Sequence, residues 1–144
     1  MLLKDKLAIV TGAATGIGLA TAIRFAKEGA SVVLADIDTY RGEQAVQHII
    51  SAHGQGLFVK TDVSQEAEVA ALIAIAETEF GGLDTIFNNA GIEQPVTPSE
   101  QVTEDLFNRV IGVNLKGTFF GCKHAIPALK RRGGGTIVNN SSVS

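Results

Sequence analysis

The chain has 144 residues, 45% hydrophobic and 19% charged, with 16 glycines, no tryptophan and a net charge of −3. This is the balance of one globular domain, which buries about 68–70% of its unfolded surface, and it excludes a disordered chain. The acidic balance leaves no footprint for nucleic acid, and the single cysteine, Cys122, excludes an internal disulfide framework.

Neither a signal peptide nor a bilayer-spanning apolar run is found, so a cytoplasmic protein with no membrane partner is expected. Short apolar runs alternate with longer helical patterns, which predicts an α/β fold: a doubly wound parallel sheet with helices on both faces. The first strand is expected over about residues 6–11, around Leu7-Ala8-Ile9-Val10. The first helix follows over about 17–29, with Leu19, Ala22, Ile23 and Ala26 on one face and Gly29 closing it. Between them runs Thr11-Gly12-Ala13-Ala14-Thr15-Gly16-Ile17-Gly18. Gly12 lets the chain turn sharply off the strand. Gly16 and Gly18 are expected to keep side chains away from an approaching phosphate. The N–H groups where the helix starts, around Ile17 and Gly18, point at that phosphate with the helix dipole behind them.

Val32-Val33-Leu34-Ala35 reads as a second strand, buried on both faces. Asp36 closes it, 18 residues after Gly18. A carboxylate there accepts hydrogen bonds from both hydroxyls of an adenosine ribose and repels a 2′-phosphate, so NAD is expected over NADP. Ala13, Ala14 and Ile37 offer no cation to a 2′-phosphate; Arg41 is the nearby exception and is expected on the exposed side of the next helix. That helix spans 40–52, with Val46, Ile49 and Ile50 on one face, and Gly54 and Gly56 are expected to break it. Leu57-Phe58-Val59-Lys60 is the third strand; Asp62-Val63 follows, with Ser64 expected as a helix N-cap.

Val69, Leu72, Ile73, Ala76 and Phe80 form a core stripe at helical spacing, stopped by Gly81-Gly82. Asp84-Thr85-Ile86-Phe87 is the fourth strand, and Asn88-Asn89-Ala90-Gly91 comes next. Two amides at a strand end can satisfy buried loop backbone, and Ala90 and Gly91 are small enough for a ligand to lie across them. Residues 92–102 form a loop over the crevice, where Glu93 and Gln94 either meet substrate or face solvent. Thr103 caps a long helix running to Arg131-Arg132, with Asn114 an unfavourable residue in its interior. Cys122 reads as inert core, and His48, His53 and His124 lack the clustered ligands of a metal site, so none is expected. Thr136-Ile137-Val138-Asn139 is the fifth strand, followed by Asn140-Ser141-Ser142.

The Gly-x-x-x-Gly-x-Gly spacing after Thr11, the Asn-Asn-Ala-Gly turn and the serine pair after strand five resemble the short-chain dehydrogenase/reductase family. The resemblance covers essentially all 144 residues. It implies a Rossmann-like, dinucleotide-binding domain over 1–144, with the C-terminal part of the family's fold missing. Gly12, Gly16, Ile17, Gly18 and Asp36 would bind the cofactor. Asp62 would contact the adenine amino group, the Val63 N–H would contact a ring nitrogen, and Asn89, Ala90 and Gly91 would lie against the cofactor. Asn114 would bend its helix and hold a water of the proton relay. Ser142 would hold the substrate oxygen, with its neighbour Ser141 the alternative. The family's Tyr-x-x-x-Lys motif is not present: the one tyrosine, Tyr40, is followed four places on by Gln44.

Two functions follow. One is an NAD-dependent oxidoreductase moving hydride between a secondary alcohol or ketone and nicotinamide. The other is a non-catalytic NAD(H)-binding fragment or assembly module, inactive alone. A methyltransferase would share the glycine-rich turn and the acid after strand two, but not the Asn-Asn-Ala-Gly turn or Ser142. The resemblance also implies a homo-oligomer, because the family packs the helix carrying Asn114 against its counterpart in a second subunit.

Overall fold

Successive residues of a strand face opposite sides of its sheet, and here both sides are apolar. The computed structural model describes residues 1–142. Five strands, β1 (Leu7–Thr11), β2 (Ser31–Asp36), β3 (Gln55–Lys60), β4 (Thr85–Asn88) and β5 (Thr136–Asn139), pair in parallel in the order β3-β2-β1-β4-β5. The chain winds outward from β1 to β3, then returns across β1 to lay down β4 and β5. The order therefore reverses between β1 and β4, the place where a doubly wound sheet takes its ligand, at the C-terminal strand ends.

The crossovers are α1 (Gly16–Lys27), α2 (Thr39–Ser51), α3 (Glu66–Phe80) and a rod made of α4 (Glu104–Ile111), a π-helical turn (Gly112–Lys116) and α5 (Gly117–Arg132). Ala8 and Val10 of β1 and Val32 and Leu34 of β2 pack with Ala22 and Ala26 of α1 and with Ala45 and Ile49 of α2. The alternate residues, Ile9, Val33, Ala35 and Ile86, pack with Leu72 and Ile73 of α3 and with Ala125, Ala128 and Leu129 of α5. The doubly wound sheet with helices on both faces is thus the observed fold. Each fully buried leucine or isoleucine contributes about 1.5–3 kcal/mol to holding the three layers together.

The structure corrects several sequence-based expectations. Neither Gly54 nor Gly56 ends α2. His53 takes the left-handed turn at φ 63°, and Gly56 lies inside β3. Gly54 is required for space: a Cβ there would stand 2.8 Å from the Ile49 Cγ2. Ser64 is not the N-cap of α3; Gln65 holds that position, and the Ser64 hydroxyl turns to Asp62. The helix expected from Thr103 onward is interrupted at Gly112–Lys116, where the Gly117 N–H bonds back five residues to the Gly112 carbonyl. Asp84 stays outside β4: its carboxylate accepts the Leu7 N–H at 2.9 Å and faces Lys6 and Arg132 at 3.6 and 3.5 Å. On the same side, Arg131 donates to both Glu77 oxygens, ties α5 to α3, and holds the Glu77 carboxyl below its ordinary range.

Candidate functional site

The site lies where the C-terminal ends of β1, β2 and β4 converge. Thr15 takes the N-cap position of α1 with an extended backbone, and its side chain makes no capping bond. No acidic side chain sits in the first turn. The orphan N–H groups of that turn, which every helix start carries, therefore meet no side-chain acceptor from the cap. Gly16 adopts φ 55°, and the space where its side chain would stand is open. Ile17 beside it is 64% exposed. A helix start left open in this way presents N–H donors and the positive end of the helix dipole.

The other two glycines of the turn work differently. Gly12, at φ 64°, brings the chain against the Asn-Asn-Ala-Gly turn, and a Cβ there would meet the Ala90 Cα at 2.9 Å. A Cβ at Gly18 would strike the Gly12 carbonyl at 2.0 Å and the Asn89 Nδ2 at 2.7 Å. The missing side chain of Gly18 thus lets helix and strand close on each other; Gly16 is the one that leaves open space.

Thr11 enters the sequence reading only as the start of the glycine motif, yet it is the lock of the site. Its buried hydroxyl accepts the N–H groups of Asn89 and Ala90, both at 3.0 Å. The Asn89 amide returns the connection, donating to the Thr11 and Gly12 carbonyls at 3.1 and 3.4 Å. Its Oδ1 accepts from the Asn140 amide at 3.0 Å. Asn88 points the other way, donating to Asn139 at 2.9 Å, and Gly121 leaves it room: a Cβ there would stand 2.0 Å from the Asn88 Oδ1. The two asparagines therefore sew β4 to β1 on one side and to β5 on the other.

Asp36 closes β2 half-buried, one oxygen accepting the Ala14 N–H and the other the Asp38 N–H, both at 3.0 Å. Each oxygen keeps a further lone pair. Arg41, the one cation within reach in sequence, lies 3.7 Å from Asp38. At the end of β3, Asp62 Oδ1 accepts from the N–H and hydroxyl of Ser64. Val63 is buried against the start of α5, where a Cβ on Gly117 would stand 2.6 Å from its Cγ2.

Asn114 sits within the π-helical turn. Such turns open the helical ladder and recur at functional sites. Its Oδ1 accepts the Ile92 N–H at 2.8 Å and its Nδ2 donates to the Ile92 carbonyl at 2.9 Å. This two-bond clamp fixes the residue after Gly91 to the middle of the rod. Ser141 and Ser142 are exposed, and follow Asn140, whose N–H bonds to the Asn88 carbonyl at 3.0 Å. Gln94 lines a 650 Å³ cleft with Val102, Phe107 and Ile111, while Glu93 is exposed.

The glycine turn, Asp36 and Asn89-Ala90-Gly91 thus gather at the C-terminal strand ends. Asp62-Val63 lies along the same strand ends, and Asn114 stands beside Gly91, whose Cβ would be 3.4 Å from its Oδ1. His124 is committed elsewhere, 3.0 Å from Glu66. Lys123 bonds to the same carboxylate, and these two bonds, that of Lys123 first, hold the Glu66 carboxyl below its ordinary range.

The family model of short chain dehydrogenases matches residues 6–144. An uncharacterized oxidoreductase, YxbG, of Bacillus subtilis (strain 168) is 44% identical over 99% of this chain and 52% of its own length. A cyclohexanol dehydrogenase of Acinetobacter sp. (strain SE19) is 36% identical over 97% of this chain and 56% of its own. A levodione reductase of Leifsonia aquatica is 36% identical over 96% and 53%. The chain spans about half the length of the curated relatives it matches.

Proposed function

Since the chain belongs to the short-chain dehydrogenase family, we propose that it forms the nucleotide-binding part of an NAD-dependent oxidoreductase acting on a secondary alcohol or ketone. The observation that carries the reading is the unblocked start of α1 beneath Gly16, with the Asp36 carboxylate fixed alongside by the Ala14 N–H. A dinucleotide needs both: donors for its pyrophosphate, and an anionic acceptor for ribose hydroxyls. Bound there, the cofactor would supply hydride chemistry.

The chain's own residues would do the holding. The first-turn N–H groups of α1, at Ile17 and Gly18, would meet phosphate. Asp36 would take ribose hydroxyls on its free lone pairs and turn away a 2′-phosphate, with Arg41 occupied by Asp38. Asp62 and the Val63 N–H would receive adenine, and Asn89, Ala90 and Gly91 would form the floor of the crevice. Asn114 would keep a relay water in place from its π-helical turn, and Ser142 would hold the substrate oxygen.

The Tyr-x-x-x-Lys pair that the family resemblance calls for in proton transfer does not occur among these 144 residues. Nucleotide binding is therefore the property to test in this chain. We also read the exposed apolar side chains Phe107, Leu115, Phe119 and Ile126, spaced along the rod, as the face that meets a second copy. A cytoplasmic setting fits this reading; among the described residues no helix is long and apolar enough to cross a membrane.

The experiment is a calorimetric titration with NAD and NADP, on the parent protein and on Asp36→Ala. The parent is expected to bind NAD about tenfold or more tightly than NADP, and the variant to lose most of that preference. Equal or better binding of NADP by the parent overturns the NAD assignment. Binding of neither overturns the nucleotide reading.

A further inference from the structure

The turn after β3 is fixed more firmly than an exposed connection requires. Glu68 is the third residue of α3, the place from which a glutamate ordinarily reaches back to the N–H of the N-cap residue. Here that N–H, of Gln65, already bonds to the Asp62 carbonyl at 3.0 Å. Glu68 reaches three residues further, and its Oε2 accepts the Asp62 N–H at 2.6 Å. Asp62 is thereby held through its backbone by Glu68 and through Oδ1 by Ser64, at 2.9 and 2.7 Å. One residue earlier, the Thr61 N–H bonds to the Asp36 carbonyl at 2.9 Å, which ties this turn to the residue read as the ribose acceptor. With these groups spent, the Asp62 Oδ2 and the Val63 N–H stand outside these bonds as an acceptor and a donor that can meet a base.

We propose that Glu68 is a positioning residue for adenine: by claiming the Asp62 N–H, it presents the acceptor Oδ2 and the donor Val63 N–H at a fixed spacing. The proposal rests on the reading of Asp62-Val63 as the adenine contact. Glu68 itself touches no ligand. An acceptor and a donor held side by side match an amino group next to a ring nitrogen. They mismatch hypoxanthine, which carries a carbonyl where adenine carries its amino group. Discrimination between the two bases depends on that spacing being held, and general stability of the fold does not set it.

The test compares NADH with its hypoxanthine analogue, by fluorescence titration of the full-length parent protein, Glu68→Ala and Glu68→Gln. The parent is expected to prefer NADH. Glu68→Ala should weaken NADH about five- to tenfold but the analogue only about twofold, as befits one hydrogen bond to a charged acceptor. Glu68→Gln keeps an amide oxygen that can accept the Asp62 N–H, so it should retain most of the preference. An unchanged preference in Glu68→Ala overturns the role of Glu68 and leaves the nucleotide reading standing. Equal weakening of both ligands overturns it too, as a general loosening. A parent that binds both ligands equally overturns the adenine assignment of Asp62, and one that binds neither overturns the nucleotide reading itself.

Discussion

Strands β2 and β5 are written in the same vocabulary, Ser-Val-Val-Leu-Ala-Asp against Thr-Ile-Val-Asn, yet they live in different environments. In β2 the four apolar residues are all buried, between β1 and β3 within the sheet and between two helical layers above and below it. In β5 three of four residues are exposed, and Val138 keeps 46% of its surface. The helices carry both kinds of surface: Ala22 and Ala26 of α1 and Ala45 and Ile49 of α2 are buried against the sheet, while the rod leaves Leu115 and Phe119 at 60% and 59% exposed. Apolar content does not by itself decide burial; a neighbour on each side does. One part of the sheet closes around the candidate nucleotide site, while the other ends in apolar surface that asks for cover.

The sharpest way to break this comparison is to cut equivalent side chains from the two strands. Leu34→Ala removes a fully buried side chain of β2 and is expected to cost about 2–5 kcal/mol. Val138→Ala in β5 should cost about 0.5 kcal/mol or less, since little is buried to lose. Urea unfolding of the two variants measures both. Comparable losses would mean that β5 is covered in solution and that the contrast is not a property of the working protein.

The closed region owes its shape to Thr11 as much as to apolar packing. Thr11→Val keeps the volume and removes the acceptor of two N–H groups, those of Asn89 and Ala90. Each orphaned buried donor costs about 1–3 kcal/mol. The variant is expected to lose stability by the lower part of that sum and to bind NADH at least about tenfold more weakly, as the Asn-Asn-Ala-Gly turn shifts. Thr11→Ser restores the hydroxyl and should recover both. If Thr11→Val melts like the parent, water has replaced the hydroxyl and the lock is less important than its geometry suggests.

What the sequence disclosed follows the same division. The glycine turn, Asp36 and the Asn89 turn are legible because each answers a local demand: positive φ, a strand end, a short amide in a turn. The doubly wound sheet is legible from alternating runs and helical stripes. Asn114 is flagged by its poor fit to a helix interior, though the π-helical turn that accommodates it shows only in three dimensions. Thr11, Glu68 and the true use of Gly18 escape, because their partners depend on how the chain closes. Thr11 bonds to residues 78 and 79 positions away. Glu68 passes over the helix cap that sequence rules assign to it, and Gly18 is needed by a carbonyl of its own turn. Ser64 misleads for a related reason: Asp62 offers its hydroxyl a nearer acceptor than the helix offers donors.

The smallest expected effect on stability comes from the open region, and it carries the question of what covers that surface. Phe119 projects 59% exposed from α5, with its ring 5.9 Å from that of Phe120. Phe120 is buried with Val63 and Val69, so it ties the rod to the turn after β3, while Phe119 faces outward. Phe119→Glu should therefore change unfolding by about 0.5 kcal/mol or less, as an exposed substitution does. NADH affinity should stay at the parent level. Association should fall, because a carboxylate in the centre of an apolar contact must be desolvated without a partner. Light scattering at matched concentrations reads this directly: a parent that self-associates and a monomeric variant support a second copy as the cover. A parent that is monomeric at all concentrations overturns a second copy as the cover.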